Sequence, residues 1–292
     1  MALFHFLKGS KAPNLPIGPV EYSQRFQDQY SNVLRLYFNE IDNALAAIFA
    51  GEAGGQYIRF PYGAFNQDGN TTLSTGISNT STTPIQVAST TGFDASGGFI
   101  IIENEIIQYT GISGNTFTGI TRGVKSTTNV SHVAGVAVTE AGGVSAGSSA
   151  AVVLDAADYS NGIYVGSPTT NTLPSSQIYV AYDGLYNLQF SLQLLNYSNT
   201  EDNVTVWLKK NGTDVPLTAS VEQVNSKHGS NPGATIMALN IFQQMAAGQY
   251  MELYWTSDTG NTVLGTYPPG TAPVHPASPS AIVTVSFVSA LP

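Results

Sequence analysis

The sequence of 292 residues contains no cysteine, which excludes disulfide bonds and thiolate metal sites. Charged residues make up only 10% of the chain, and the net charge is −9. Because the 10 Lys and Arg residues form no cluster, we expect no surface that binds nucleic-acid phosphates. Apolar runs are too short to span a bilayer, and the opening MALFHFLKGSK lacks the basic region and the length of a secretory signal. We therefore expect a soluble protein, made in a cytoplasm, without membrane insertion.

The clearest pattern in the chain is the alternation at residues 184–194, GLYNLQFSLQL. Every second side chain from position 186 onward is large and apolar, which predicts a strand with one dry face. Burying each of these side chains stabilises the fold by roughly 1.5–3 kcal/mol, so a second layer must cover the face. Residues 204–208 alternate in the same way, and Asn211-Gly212 is a strong hairpin signal. We predict a β-sandwich or jelly roll, with further strands in the β-rich runs 235–242, 250–256 and 282–288.

Four phrases in this region carry a resemblance to a known family. They are YDGLYNLQFS from Tyr182, VTVWLKKNGTDV from Val204, AAGQYMELYW from Ala246 and the closing IVTVSFV from Ile282. In this order they resemble the complement/tumour-necrosis-factor-like jelly roll, over about residues 178–289. Members of that family form threefold-symmetric trimers, so the resemblance implies a homotrimer. Periodicity alone does not indicate one.

A different period governs residues 19–51, where apolar side chains recur at intervals of three and four. This spacing predicts one long amphipathic helix, with Pro19 suited to its first turn and Gly51 to its end. Its apolar stripe packs either on the sheet or on sister helices about an axis, and both arrangements stay open. As anchor residues on this stripe we assign Leu34, Phe38, Ile41 and Leu45.

Residues 1–18 form the predicted N-terminal arm. Prolines at positions 13 and 16 keep this segment extended and prevent a helix. The arm either packs on its own domain or reaches into a neighbouring subunit. Its apolar side chains include Phe4 and Phe6, which we assign as further anchor residues.

A second resemblance comes from LYFNEIDNAL, at 36–45, followed by FPYGAFNQDGNTT, at 60–72. These phrases resemble the opening of virion structural proteins from tailed bacteriophages, particularly those that infect cyanobacteria. In that group the helix leads into a jelly roll. From the residues themselves we predict that 52–82 begin the jelly roll, with a first strand at 57–65, and that 141–292 form its main part.

Residues 83–140 are predicted to be an inserted small β domain. Phe99–Ile102 and Ile106–Tyr109 flank a Glu103-Asn104 turn, which predicts a hairpin. The phrases ENEIIQYTG, NTFTGITRG and SHVAGVAV are similar to a small β module found in phage tail and fibre proteins. Near the other end of the chain, 266–280 is a Pro-rich loop that either contacts a partner or is poorly ordered.

No motif in the chain points to catalysis or metal binding. Gly143–Gly147 matches the G-x-S-x-G nucleophile elbow, yet its Gly- and Ser-rich flanks show no helix pattern, so we interpret it as a chance match. Glu103 and Glu105 are expected to be solvated at a hairpin tip. No histidine lies at metal-binding spacing from another; the four are His5, His132, His228 and His275. We therefore assign no catalytic, cofactor-binding or metal-binding residue and expect no enzyme.

Trp207 faces away from Val206 and Leu208 in the predicted strand. It either lies on the outer sheet surface or fills a subunit interface. We favour the interface because aromatic residues are enriched at interface cores, and we assign Tyr250 to it as well.

Together these observations predict a mainly β protein with an N-terminal arm, one amphipathic helix, a jelly-roll sandwich and a small inserted β module. We expect a homotrimeric tail, neck or fibre component of a phage virion, assembled in the host bacterial cytoplasm. Its expected partners are other virion proteins (tail, neck, portal-adaptor or capsid) and a host surface receptor or polysaccharide. Two alternatives stay open, namely a capsid decoration (cement) trimer and a glycan-degrading tailspike, which requires paired carboxylates in a groove.

Overall fold

A computed structural model describes residues 13–15, 17, 19–49 and 60–290. The chain divides into two compact units, Met1–Phe60 and Pro61–Pro292. The described part of the first unit contains one helix, and that of the second consists of strands and loops. Phe4, Phe6 and the predicted helix end at Gly51 lie outside the described residues.

The helix, α1 (Gln24–Phe49), begins later than the sequence predicts. Pro19 does not lie in its first turn, so that prediction is wrong. Ser23 takes the capping position instead, since its Oγ accepts a hydrogen bond from the Phe26 N–H at 3.4 Å. Serine is a favourable N-cap because its hydroxyl satisfies a donor that the helix leaves unpaired.

The apolar stripe of α1 is confirmed. Its members are half-buried at Leu34 and Ile41, whereas Phe38 and Leu45 at its margin are exposed. Phe26 and Tyr30 stack one turn apart, with their ring centroids 6.1 Å from each other. The helix therefore presents a broad aromatic and aliphatic surface.

The second unit is built from 23 strands within the described residues. The first twelve are β1 (Tyr62–Gln67), β2 (Asn70–Thr72), β3 (Ile85–Gln86), β4 (Gly98–Ile102), β5 (Glu105–Tyr109), β6 (Gly111–Ser113), β7 (Thr116–Thr118), β8 (Thr121–Val124), β9 (Ala137–Gly143), β10 (Ser149–Ala151), β11 (Ala156–Asn161) and β12 (Ile163–Val165). The others are β13 (Ile178–Val180), β14 (Gly184–Asn196), β15 (Asp202–Lys210), β16 (Thr213–Asp214), β17 (Ser220–Val224), β18 (Gly233–Met245), β19 (Tyr250–Ser257), β20 (Thr262–Gly265), β21 (Gly270–Thr271), β22 (Val274–His275) and β23 (Ala281–Ser289).

Two large sheets organise these strands. Among the described residues, eleven strands form one sheet in the order β11-β1-β23-β14-β20-β9-β4-β5-β8, with β18 beside β14 and β2 beside β9. Seven form the other, in the order β12-β13-β19-β15-β16, with β10 beside β19 and β17 beside β15. β14 is central to the larger sheet because β18 pairs with its whole length on one edge, while β23 and then β20 pair with the other.

The two large sheets share one hydrophobic core. The predicted dry face of β14 is confirmed, since all five alternate side chains from Tyr186 to Leu194 are buried. Val204, Val206 and Leu208 of β15 cover it from the other sheet, together with Trp255 of β19. The protein is thus mainly β with one described helix, and the shared core is consistent with a β-sandwich. We call this assembly, residues 61–67 and 149–289, the two-sheet body.

A second core lies within residues 70–143, which we call the small β part. Its buried side chains come from Leu73 to Val138 and include Ile100, Ile107 and Phe117. The predicted hairpin around Glu103-Asn104 is confirmed as β4 and β5. The larger sheet runs on into this part, because β20 pairs with both β14 and β9. The domain boundary at residue 83 stays a prediction, while the second core already includes residues before it.

Three other sequence predictions meet the structure with different outcomes. The Asn211-Gly212 hairpin is confirmed, since both residues have a positive φ, +48° and +77°, and connect β15 to β16. The first strand of the body, β1, begins at Tyr62, and its predicted start near residue 57 lies outside the described residues. The Pro-rich loop contains a small hairpin of β21 and β22, enclosed by a bridge between Tyr267 and Ser278.

The buried row on β14 is expected to dominate the stability of the two-sheet body. Replacing Leu188 with Ala should lower the free energy of unfolding by roughly 2–5 kcal/mol, because the packed core closes a cavity only in part. The matched control is Gln189→Ala, because Gln189 is the exposed neighbour of Leu188 and points to the other face of the strand. Urea unfolding of both variants checks this, and equal stabilities would contradict the dominance of the buried row.

Candidate functional site

Aromatic side chains line the outer face of the seven-stranded sheet. Trp207 of β15 is the register partner of Tyr254 of β19, with ring centroids 5.9 Å apart. Tyr250 of β19 is likewise paired with Tyr179 of β13, at 5.2 Å. All four are half-buried, whereas Trp255, which follows Tyr254 in sequence, points into the core. We call these four residues the aromatic strip.

Polar groups hold the strip in place. The Trp207 Nε1 donates to Asp214 Oδ1 at 2.7 Å, and the Lys209 ammonium lies 3.5 Å from the same carboxylate. Lys209 also lies over the Tyr254 ring, 4.1 Å from its centroid. Rings fixed in this way lose little freedom when a partner covers them, which suits them to an interface or to stacking on a sugar. The structure thus places the two predicted interface residues, Trp207 and Tyr250, on one surface.

A second candidate surface is the free edge of β18, which we call the β18 edge. Among the described strands β18 pairs only with β14, in one unbroken register over 13 residues. It contains no charged residue and no proline. Its exposed apolar side chains are Ile236, Leu239 and Phe242. Proteins ordinarily protect an edge strand with charge, proline or a bulge, because unpaired N–H and C=O groups recruit other strands. β18 itself has none of these devices, and the Lys210 ammonium of β15 donates to its Gln244 carbonyl near the end of the strand, at 2.8 Å.

A buried ionic network lies in the small β part and contradicts the sequence prediction for Glu105. Its carboxylate is fully buried rather than solvated, and Arg122 binds it with two hydrogen bonds, of 2.6 Å from Nε and 2.7 Å from Nη2. His132 donates from Nε2 to the same carboxylate, at 2.9 Å, and its Nδ1 lies 2.7 Å from Glu103. The Gly123 and Val130 amides complete the set of donors.

The network is electrostatically complete. Burial alone would raise the pKa of Glu105, but hydrogen bonds from Arg122, His132 and the Val130 amide outweigh burial and hold that pKa below its ordinary value. Arg122 also donates to the carbonyls of Ser78 and Val130. Sequence reasoning missed this site because the partners lie 17 to 27 residues from Glu105 along the chain. The arrangement joins four loops and strands, and serves stability.

A cleft of about 360 Å³ lies beside β9 and β10. Its walls include Gln67, Asp94, Phe99, Gln108 and Glu140. Glycoside hydrolysis needs an acid and a base that both reach the substrate. The Glu140 side chain is instead enclosed, with its residue only 4% exposed. The Glu140 carboxyl is therefore not freely presented to a substrate in this cleft.

The remaining motifs are placed as follows. Ser145 of the G-x-S-x-G match lies in a turn between β9 and β10, so the strand-to-helix geometry of a nucleophile elbow is not formed there. In the part of the chain that the structure describes, no group of three or more His, Asp or Glu residues is arranged to hold a metal ion. No helix among the described residues is long and apolar enough to cross a membrane.

Glu105 provides a test of the buried network. Replacing it with Gln leaves the buried Arg122 without its counter-charge, so we expect a loss of roughly 3–5 kcal/mol near neutral pH. Because the folded-state pKa of Glu105 is lowered, its contribution is present above pH 4.5 and disappears as the pH falls through the folded-state pKa. Urea unfolding across this range should show the two proteins converging in acid. Glu201→Gln, at an exposed carboxylate, is the control, and equal stability of E105Q and wild type near neutral pH would contradict the account.

Neither a family model nor a curated protein matches this chain. Its function must therefore be argued from the surfaces that it exposes.

Proposed function

We propose that the protein is a homotrimeric structural component of a tailed-phage virion, in the tail, neck or fibre region. Its N-terminal region attaches it to other virion proteins, the two-sheet body has jelly-roll topology and forms the trimer, and the small β part projects and contributes to host attachment. The protein has no enzymatic role in this proposal. The two resemblances in the sequence support the assignment, together with three surfaces, the β18 edge, the aromatic strip and the apolar stripe of α1.

The β18 edge is the observation that carries the proposal. A 13-residue uncharged edge strand is a hazard in a free monomer, since identical chains pair through such edges without limit. A closed ring removes the hazard because every copy of the edge is covered and none remains. The occupant we propose is therefore a second copy of this chain.

The aromatic strip supplies the opposite surface for such a ring. In a threefold ring each subunit uses two different patches, one toward each neighbour. The β18 edge and the aromatic strip belong to different sheets, which gives the two patches that are required. In this arrangement Trp207 and Tyr250 face Ile236 and Phe242 of the next subunit.

The stripe of α1 supports association through the N-terminal region. Apolar residues recur there with an eleven-residue repeat, at Phe26, Tyr30, Val33, Tyr37, Ile41, Ala44 and Ile48. A repeat of this length corresponds to about 3.67 residues per turn and is typical of helices that wind around one another with a right-handed sense. Leu34, Phe38 and Leu45 each follow one of these positions and widen the stripe. Three sister helices about an axis would use the repeat, and these wider flanks would remain for a particle protein.

Ile236→Lys tests the β18 edge. A charge on this strand should prevent subunit pairing, so we expect a change from trimer to monomer with an unchanged far-UV circular dichroism spectrum. The control is Val133→Lys in the small β part, because Val133 is 71% exposed and Ile236 66%. Light scattering coupled to size-exclusion chromatography measures the mass. A wild-type protein that is already a monomer at micromolar concentration would overturn the trimer, and a trimeric I236K would overturn the role of this edge.

Ile41→Asp tests attachment through α1. An interface that must bury this carboxylate without a partner loses more than ~1.4 kcal/mol of binding free energy, which corresponds to a tenfold loss of affinity. We therefore expect at least roughly tenfold less protein in purified particles. Asn39→Asp adds the same charge on the opposite side of the helix and serves as control. Quantitative immunoblots of particles measure incorporation. Equal incorporation of I41D and N39D would contradict the role of the stripe, and labelled particles with the protein on the capsid shell would indicate a cement trimer instead.

A further inference from the structure

The chain passes from the two-sheet body into the small β part through Asp68 and Gly69, between β1 and β2. Asp155, which precedes β11, holds this connection. Its carboxylate accepts hydrogen bonds from the Asp68 N–H and the Gly69 N–H, both at 3.0 Å. Both of its oxygens are engaged in this way, and these bonds favour the ionised form of Asp155 against burial, which raises its pKa.

Glu140 approaches the same connection from β9. Its backbone N–H donates to the Gly69 carbonyl at 2.7 Å, and its side chain interacts electrostatically with the Asp155 carboxyl. The contact is close, since a Cβ on Gly69 would lie 2.8 Å from Glu140 Oε2. Oε2 is fully enclosed and has no hydrogen-bond donor. A buried carboxyl oxygen without a hydrogen-bond donor is costly. If Oε2 carries a proton, it becomes a donor itself and can bind the neighbouring ionised carboxylate.

We propose that Glu140 and Asp155 share one proton, and that this acid pair is a pH-operated latch between the two-sheet body and the small β part. Glu140 is the proton donor and Asp155 the acceptor. The pair joins three separate parts of the chain, namely strand β9, the β1–β2 connection and the segment before β11. Loss of the proton leaves two enclosed negative charges in contact.

The groups around Glu140 and Asp155 further disfavour the ionised form of Glu140. The other titratable groups that face the pair are Asp94, Asp68 and Tyr109. Asp158 adds a further negative charge beside Asp68. Within the described residues no Lys, Arg or His forms an ion pair with any of these carboxyls. Ionised Glu140 therefore has no counter-charge within reach.

The direction of the pH effect follows from this geometry. Burial, followed by the interaction with Asp155, raises the pKa of Glu140 well above 4.5. A raised carboxyl pKa means that the folded protein keeps a proton that the unfolded chain releases. The contribution to stability is therefore complete below pH 4.5 and is lost as the pH rises through the folded-state pKa. The latch is closed in acid and opens toward alkaline pH.

Infrared spectroscopy of the full-length protein detects the shared proton directly. We expect a protonated-carboxyl C=O stretch near neutral pH that disappears on titration to alkaline pH and on unfolding in urea. Glu140→Gln removes the band, whereas Glu201→Gln, at an exposed carboxylate, retains it. If E140Q does not fold, the wild-type band and its loss on unfolding still decide the case. Absence of the band near neutral pH overturns the shared proton, and a band that E140Q retains overturns its assignment.

Amide hydrogen exchange tests the latch itself. At alkaline pH residues 68–72 should exchange faster in the wild type than in E140Q, whose amide donates to Asp155 without titrating. In mild acid the two proteins should exchange alike there. Comparison at the same pH cancels the intrinsic exchange rates. Identical exchange of 68–72 in both proteins at alkaline pH overturns the latch, even if the shared proton is present. Both experiments use the isolated protein, so their outcome is independent of the trimer and of the virion.

Discussion

The buried row on β14 is the constraint on which the rest of the second unit depends. Its five large side chains face β15 and β19 across the shared core, and each contributes roughly 1.5–3 kcal/mol. The same strand sets the register of the larger sheet, because β18, β23 and β20 all pair with it. β14 thus fixes the position of the unprotected β18 edge and, through β20, the position of the small β part.

Period-two alternation made the long strands predictable. Alternation predicts the faces of β14 and β15 down to single residues such as Phe190 and Val206, because a strand with one buried side has an apolar residue at every second position. The sequence does not determine the start of α1, because Pro19 and Ser23 both suit a helix N-terminus and only the Ser23 hydrogen bond distinguishes them. Strand partners were not predictable at all. β18 follows β17 along the chain yet crosses to the other sheet.

The polar sites were hidden from sequence for a different reason. Glu105 and Glu140 are both enclosed glutamates, and nothing in their immediate neighbours reveals it. Arg122 gives Glu105 a counter-charge, whereas Glu140 meets another carboxyl. The two sites consequently respond to pH in opposite directions, one losing its contribution in acid and the other in alkali. A chain with few charges places several of them where solvent does not screen them, and the stabilising contributions of these two sites are both present only between their two folded-state pKa values.

β20 has a mechanical consequence. This four-residue strand meets β14 through three residue pairs and β9 through three more. Within the described residues it is the bridge by which the larger sheet continues from one core to the other. The ladder between β14 and β18, by comparison, spans thirteen residue pairs. The small β part is therefore coupled to the central sheet by few ladder hydrogen bonds, and side-chain packing of Ile101, Leu195 and Val263 across β20 supplies further coupling.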